Sequence, residues 1–182
     1  AIGHYSLGNL EHEEENLETA LIYYLKAEEL DAYNWRIKGA IASIWLEKGD
    51  SVRALSFYEK AHELESKNAA LLTDVAACQR EENLILKAHE NLVKAVELEP
   101  DYAFARYSLG KLYLDQKFYT SAEEQYSYAL DLDPDDVYAQ NGLGDVYRFQ
   151  EKYRPAIKTY QKSLDLSEGD GYALYHKAFC HL

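Results

Sequence analysis

Several groups of reactive side chains stand out in the chain. Ser108-Leu-Gly-Lys111 has the S-x-x-K spacing that sets a serine nucleophile beside a lysine in some acyl-transfer enzymes. Asp131-Leu-Asp133-Pro-Asp135-Asp136 places carboxylates at the alternating positions of a calcium loop. His12 stands in the acidic run from Glu11 to Glu15, a weak donor set for a divalent cation. Cys78 and Cys180 are the only thiols. None of these groups is completed by what surrounds it. The calcium pattern needs glycine at its sixth position and glutamate at its twelfth, where the chain has Asp136 and Gly142. No partner motif follows Lys111, and no H-E-x-x-H, paired-cysteine spacing or glycine-rich phosphate loop occurs. The expectation is a chain without catalytic residues, metal or cofactor.

A repeat accounts for where these residues fall. At a spacing of 34 residues, Ala20, Ala54, Ala88, Ala122 and Ala156 align, as do Tyr24, Tyr58, Leu92, Tyr126 and Tyr160. Ala27, Ala61, Ala95, Ala129 and Ser163 form a third column, and Leu30, Leu64, Leu98, Leu132 and Leu166 a fourth. A small residue recurs at Gly8, Ala42, Ala76, Gly110, Gly144 and Ala178, preceded by Leu7, Ile41, Val75, Leu109 and Leu143. No insertion or deletion is needed. Ser108 and Lys111 lie across these columns, and the aspartates of residues 131–136 fall in a connection between repeats. Cys78 and Cys180 share one register position three repeats apart. At roughly 8–10 Å per helix layer they are too distant for a disulfide and read as small buried hydrophobes.

Within each repeat the apolar residues recur at helical spacing, in two amphipathic stripes. In the fourth repeat this predicts one helix near Phe104–Gln116 and a second near Ser121–Asp131. Small residues let the two helices approach, and the tyrosine column fills the space between neighbours. Pro100 and Pro134 stand beyond second helices and stop them, whereas Pro155 suits a helix's first turn. One helix pair cannot bury its stripe alone, but stacked pairs can. The charged stretch Gln79–Glu82 predicts a locally weaker third repeat.

Leu109-Gly110, Tyr113, Ala122, Tyr126, Ala129 and Pro134 resemble the tetratricopeptide repeat (TPR) pattern, W-x2-L-G-x2-Y…A-x3-F…P. The resemblance covers the whole chain. It implies an all-α fold, a right-handed α-solenoid of antiparallel helix pairs, as a single TPR domain over 1–182. Its repeats are 1–34, 35–68, 69–102, 103–136 and 137–170, with a partial repeat or capping helix at 171–182. The family's tyrosine position departs to Glu11 and His181 in the end repeats, and Lys177 replaces a leucine. These polar entries fit either caps or a chain interrupted inside a sixth repeat, with Ala178, Phe179 and Leu182 partly exposed. Methionine is absent, so the expectation is a fragment or processed form of a longer, multi-domain protein.

The resemblance further implies a non-enzymatic scaffold that binds a peptide or partner protein in a concave groove lined by the first helices. Carried over position by position, the groove in its middle is small and plain: Gly39, Ser43, Ala70, Thr73 and Ala77. Its C-terminal end collects Phe104, Tyr107, Tyr138, Tyr172 and Tyr175 around Lys111, Asn141 and Arg148. Tyrosines offer apolar area with a polar tip at low entropic cost, and the two cations suit a ligand carboxylate. The site expected is therefore a peptide site for an extended, aromatic or apolar segment carrying a carboxylate. The alternative for any one of the 17 tyrosines is simple packing of helix on helix. The two-carboxylate clamp for heat-shock chaperone tails is not supported, since of Tyr5, Asn9, Ala40, Ala70 and Asp74 only Asn9 matches. Self-assembly into a homo-oligomer is the alternative function.

The bulk properties narrow the partners. Thirty-two acidic and 19 basic residues leave a net charge of −13. Such a surface repels phosphate backbones and anionic lipid headgroups, so nucleic acid and membranes are poor partners. Two cysteines suit a reducing compartment, and no apolar run approaches the roughly 18 residues of a membrane helix. The expected location is cytoplasmic.

Overall fold

The computed structural model describes residues 1–181; Leu182, the last residue of the expected sixth-repeat segment, lies outside them. Among the described residues there are eleven α-helices and no strand. In chain order the first helices of the repeats are α1 (Ile2–Glu13), α3 (Trp35–Glu47), α5 (Ala69–Glu81), α7 (Ala103–Asp115), α9 (Val137–Phe149) and α11 (Gly171–Phe179). The second helices are α2 (Leu17–Leu30), α4 (Ser51–Leu64), α6 (Ile85–Leu98), α8 (Tyr119–Leu132) and α10 (Tyr153–Leu166). In the fourth repeat α7 lies within one residue of its predicted span, while α8 starts two residues early, at Tyr119. Its start is set by the turn before it and not by a capping side chain, since Phe118 offers none.

That turn recurs in every repeat. Glu15, Gly49, Asn83, Lys117 and Glu151 all adopt the left-handed conformation, at φ of 61°, 77°, 59°, 62° and 59°. Each closes a first helix by a pair of backbone bonds. At Lys117 its own N–H reaches the Leu114 carbonyl at 2.9 Å, and the Phe118 N–H reaches back to Tyr113 at 2.9 Å. Such a motif satisfies carbonyls that a helix end leaves open. Four of the five residues carry a Cβ, which makes this conformation unfavourable by roughly 1–2 kcal/mol. The other connection is closed by side chains. Asn34, Asn68, Asp136 and Asp170 accept from backbone N–H groups at the starts of α3, α5, α9 and α11. Tyr102 breaks this series and gives α7 no side-chain cap.

Backbone contacts divide the chain into two compact units, Ala1–Asn91 and from Leu92 on. In the first, Ala20, Tyr24 and Ala27 of α2 pack with Ile37, Ile41 and Ile44 of α3. Ala54, Tyr58 and Ala61 of α4 do the same with Leu71, Val75 and Cys78 of α5. In the second unit Ala122, Tyr126 and Ala129 of α8 meet Ala139 and Val146 of α9, and Ala156 and Tyr160 of α10 meet Ala173 and Cys180. Four of the second helices thus bury the same Ala-x3-Tyr-x2-small triad, and α6 has Leu92 in place of the tyrosine. The small column opposite it is a steric requirement. A Cβ at Gly8 would stand 2.5 Å from the Tyr24 ring, and one at Gly144 2.6 Å from Tyr160. Tyr126 is enclosed twice, since Cβ atoms at Gly110 and Gly142 would approach it to 3.0 and 2.5 Å.

Two expectations need correcting. The leucine column that closes the second helices is not core: Leu30, Leu64, Leu98 and Leu166 are all substantially exposed. They are the last residues of their helices. Gln79, read as a weak point, is 4% exposed. Its Oε1 accepts from Asn91 Nδ2 at 2.9 Å, so the polar group is satisfied inside the third repeat.

Candidate functional site

In the second unit, α7, α9 and α11 bring side chains around a groove of about 990 Å3. Six of the eight residues expected at the site line it: Tyr107, Lys111, Tyr138, Asn141, Arg148 and Tyr172. The aromatic members form a row. Tyr107 lies 6.4 Å from Tyr138 and 5.9 Å from the buried Tyr126, ring centre to ring centre. Phe104 is outside the lining but stacks on Tyr107 at 6.0 Å and extends the row. Tyr175 is not brought in. Its ring meets His176 edge-on at 5.0 Å and is otherwise exposed. Tyr138 is 74% exposed, too open for a packing role.

Asp145 is the residue that sequence reasoning underrated. It is nearly buried, at 7% exposed, and gathers three donors. Tyr160 donates its hydroxyl to Oδ1 at 2.7 Å, Tyr172 donates to Oδ2 at 2.5 Å, and Arg148 Nη2 donates to Oδ1 at 3.0 Å. Burial first, and then the Asp145 carboxylate, push both tyrosine hydroxyls well above their ordinary range and keep them neutral donors. Arg148 also reaches the Tyr160 hydroxyl at 3.4 Å and lies over the Phe149 ring. It is therefore held by the protein, and the expected pairing of Arg148 with a ligand carboxylate meets a guanidinium already occupied.

A register rule lay in the columns unread. In three of the repeats the residue after the small column hydrogen-bonds the tyrosine of the same repeat. Tyr24 donates to Asn9 Oδ1 at 2.9 Å, Tyr58 is hydrogen-bonded to Ser43, and Tyr160 donates to Asp145. Ser43, carried over as a groove position, and Asn9, the one match to the clamp, serve the interior in this way. At the same register the third repeat has Ala77, and its tyrosine position holds Leu92, which has no hydroxyl.

Asn141 occupies the middle of the groove. Its Nδ2 donates to Asp170 Oδ2 at 2.7 Å, while its Oδ1 is buried without a hydrogen-bond partner. Asp170 also accepts from Ser163 at 3.0 Å and from the backbone of Tyr172 and Ala173. Although burial acts the other way, these bonds hold its carboxyl below the usual range. The rim adds Asp115, Lys117 and Glu168, so the charges around the groove are mixed. The remaining candidates from the sequence have structural partners. His12 Nε2 lies 2.7 Å from Glu47 Oε1, Cys78 is fully buried, and burial pushes its thiol up to about 12.

Profiles of the tetratricopeptide repeat match residues 2–34, 83–137 and 107–171. The chain belongs to the tetratricopeptide repeat family. No curated protein matches its sequence. Among solved structures it is similar to YrrB, a TPR protein with an unusual peptide-binding site, at 25% identity and a TM-score of 0.72, covering 98% of this chain and 92% of that one. PilF of Pseudomonas aeruginosa superposes at a TM-score of 0.86 with 22% identity over 98% of this chain and 81% of its own. A chain of the APC/C Cut9–Hcn1 hetero-tetramer reaches 0.90 at 20% identity, with 99% of this chain but 36% of that one covered. The latter two support the fold alone. The TPR fold is that of a protein–protein interaction scaffold. No helix among the described residues is long and apolar enough to cross a membrane.

Proposed function

We propose that this TPR chain is an adaptor whose second unit binds an extended peptide segment of a partner protein in the groove of α7, α9 and α11. The observation that carries the reading is the Asn141 amide. Its buried Oδ1 lacks a donor among the described residues, and Asn141 lies in the lining; a buried unsatisfied acceptor is costly unless a ligand supplies the hydrogen. A peptide N–H does so while its side chains lie along Tyr107, Tyr138 and Tyr172. The peptide-binding site of YrrB supports the reading. Phe104 extends the contact, whereas Tyr175 stands apart from it. Lys111 and Lys117 add positive charge to the lining, while Arg148 is committed to Asp145.

Affinity capture with the wild-type chain and with Tyr138→Ala tests this. Tyr138 is exposed, so its removal leaves the fold intact. A partner of the groove should be lost or weakened by about tenfold, the size of an aromatic contact at an interface. Partners retained equally by Tyr138→Ala and by Tyr107→Ala would refute the site.

Self-association is the second reading. The exposed Leu174, Tyr175 and Phe179 of α11 favour it. Light scattering over a concentration series separates the two, since a constant monomer mass leaves only the peptide groove.

A further inference from the structure

The second unit carries another groove, sharing no lining residue with the first. It runs between α8 and α10, with α9 as its floor, and has a volume of about 970 Å3. Leu143 and Tyr147 of α9 form an apolar base, with Leu130 and Pro155 on the flanks. One wall is a row of cations. Arg154, Lys158 and Lys162 follow one another at four-residue steps on α10, about 6 Å apart along the axis. All three are exposed, and none has an ion-pair partner among the described residues. They form a local positive row in a protein with 32 carboxylates. The two carboxylates of the lining, Asp131 and Asp165, are outnumbered, and Asp165 is engaged by Gln161 Nε2 at 2.7 Å.

The floor also offers a polar group. Gln140 is 5% exposed overall and lines the groove, and its side-chain amide makes no hydrogen bond to any described residue. The amide keeps its contact with solvent and is open to a ligand's backbone. Its neighbour Thr159, by contrast, is satisfied through the Pro155 carbonyl at 3.0 Å.

We infer that this groove is a second docking site, and that it takes an acidic protein segment with aliphatic side chains. The carboxylates lie along Arg154, Lys158 and Lys162. The aliphatic groups seat on Leu143 and Tyr147, and a backbone amide meets Gln140. A bare polyanion satisfies only the wall, and the chain's charge of −13 repels a long one such as nucleic acid. With the first groove, the unit then holds two segments at once on separate residues.

Fluorescence anisotropy with a dye-labelled peptide of glutamate and leucine tests the assignment. Binding should weaken as salt rises. It should fall by about tenfold or more in Lys158→Glu/Lys162→Glu, and less in Lys158→Gln/Lys162→Gln. It should be unchanged in Tyr138→Ala, which alters only the first groove. Circular dichroism checks that the helices persist, as expected for changes at exposed positions. Absence of binding would overturn the proposal, as would equal binding of a lysine–leucine peptide, of leucine-free polyglutamate or of oligo-dT. A concentration-dependent mass abolished by the same charge reversal, with no displacement by the peptide, would assign the groove to a second copy of the chain instead.

Discussion

Each unit draws a carboxylate into the interior of a first helix, and the two are treated in opposite ways. Asp74 of α5 has no ion-pair partner among the described residues, and burial pushes its carboxyl up to about 6. Asp145 of α9 is more deeply placed, yet it receives a guanidinium and two tyrosine hydroxyls. The same backbone frame therefore holds an acid that opposes folding in one unit and an acid that organises a site in the other. What differs is the company. Position 77, one turn beyond Asp74, is alanine, while Arg148 follows Asp145 by three residues. Burial alone does not make a buried charge costly or useful; the donors around it decide.

The largest expected effect tests the organised side. Asp145→Ala strands a largely buried guanidinium and the Tyr160 hydroxyl, and should lower stability by about 3 kcal/mol. Ser43→Ala, which removes the hydroxyl that hydrogen-bonds Tyr58 in the first unit, should cost about 1 kcal/mol. Midpoints of urea unfolding measure both. Equal losses would mean that Asp145 is no more than another partner of a tyrosine hydroxyl.

The next effect tests the unorganised side. The folded-state pKa of Asp74 lies above the roughly 3.9 of an unfolded aspartate, so ionisation works against folding as pH rises through about 6. Asp74→Asn should then be more stable than wild type at pH 7, by on the order of 1–2 kcal/mol. The advantage should shrink as pH falls through 6 and disappear near pH 4. A difference independent of pH would show that the carboxyl is solvated.

The smallest effect asks where the units agree. Lys117 in one and Gly49 in the other hold the same left-handed turn. Lys117→Gly should gain up to about 1 kcal/mol, after the entropy of the unfolded glycine is counted. Gly49→Ala should lose about as much. Thermal unfolding of the two variants would show shifts of opposite sign, and matching signs would break the equivalence of the turns.

The frame was legible because its residues repeat by type. Ala20, Tyr24 and Ala27 reappear with little change in each second helix, and steric fit allows few substitutes at Gly8 or Gly144. The partners of the tyrosine hydroxyls were harder to see. Asn9, Ser43 and Asp145 meet one need with three residue types, so no column forms. The left-handed turns escaped for a related reason, as four of their five residues are not glycine. Leu30 and its equivalents misled in the other sense, since a perfect column proved half-exposed. At the site, Tyr107 and Asn141 were found because they differ from their small counterparts Thr73 and Gly39, and Tyr138 because it differs from Ala70. Arg148 was misjudged because Tyr160 and Asp145, which reach it, come from another helix and another turn.

The left-handed residue between paired helices also acts as a ruler. It stops every first helix at the same register, whatever side chains precede it, so the count of residues up to Glu15, Gly49, Asn83, Lys117 or Glu151 is set by backbone geometry. One residue added ahead of that point would swing everything between the addition and the turn by about 100° around the axis. Tyrosine and glycine would then face away from each other. An added residue would be better tolerated in the other connection, where capping by Asn34, Asn68, Asp136 or Asp170 can restart a helix after a longer loop.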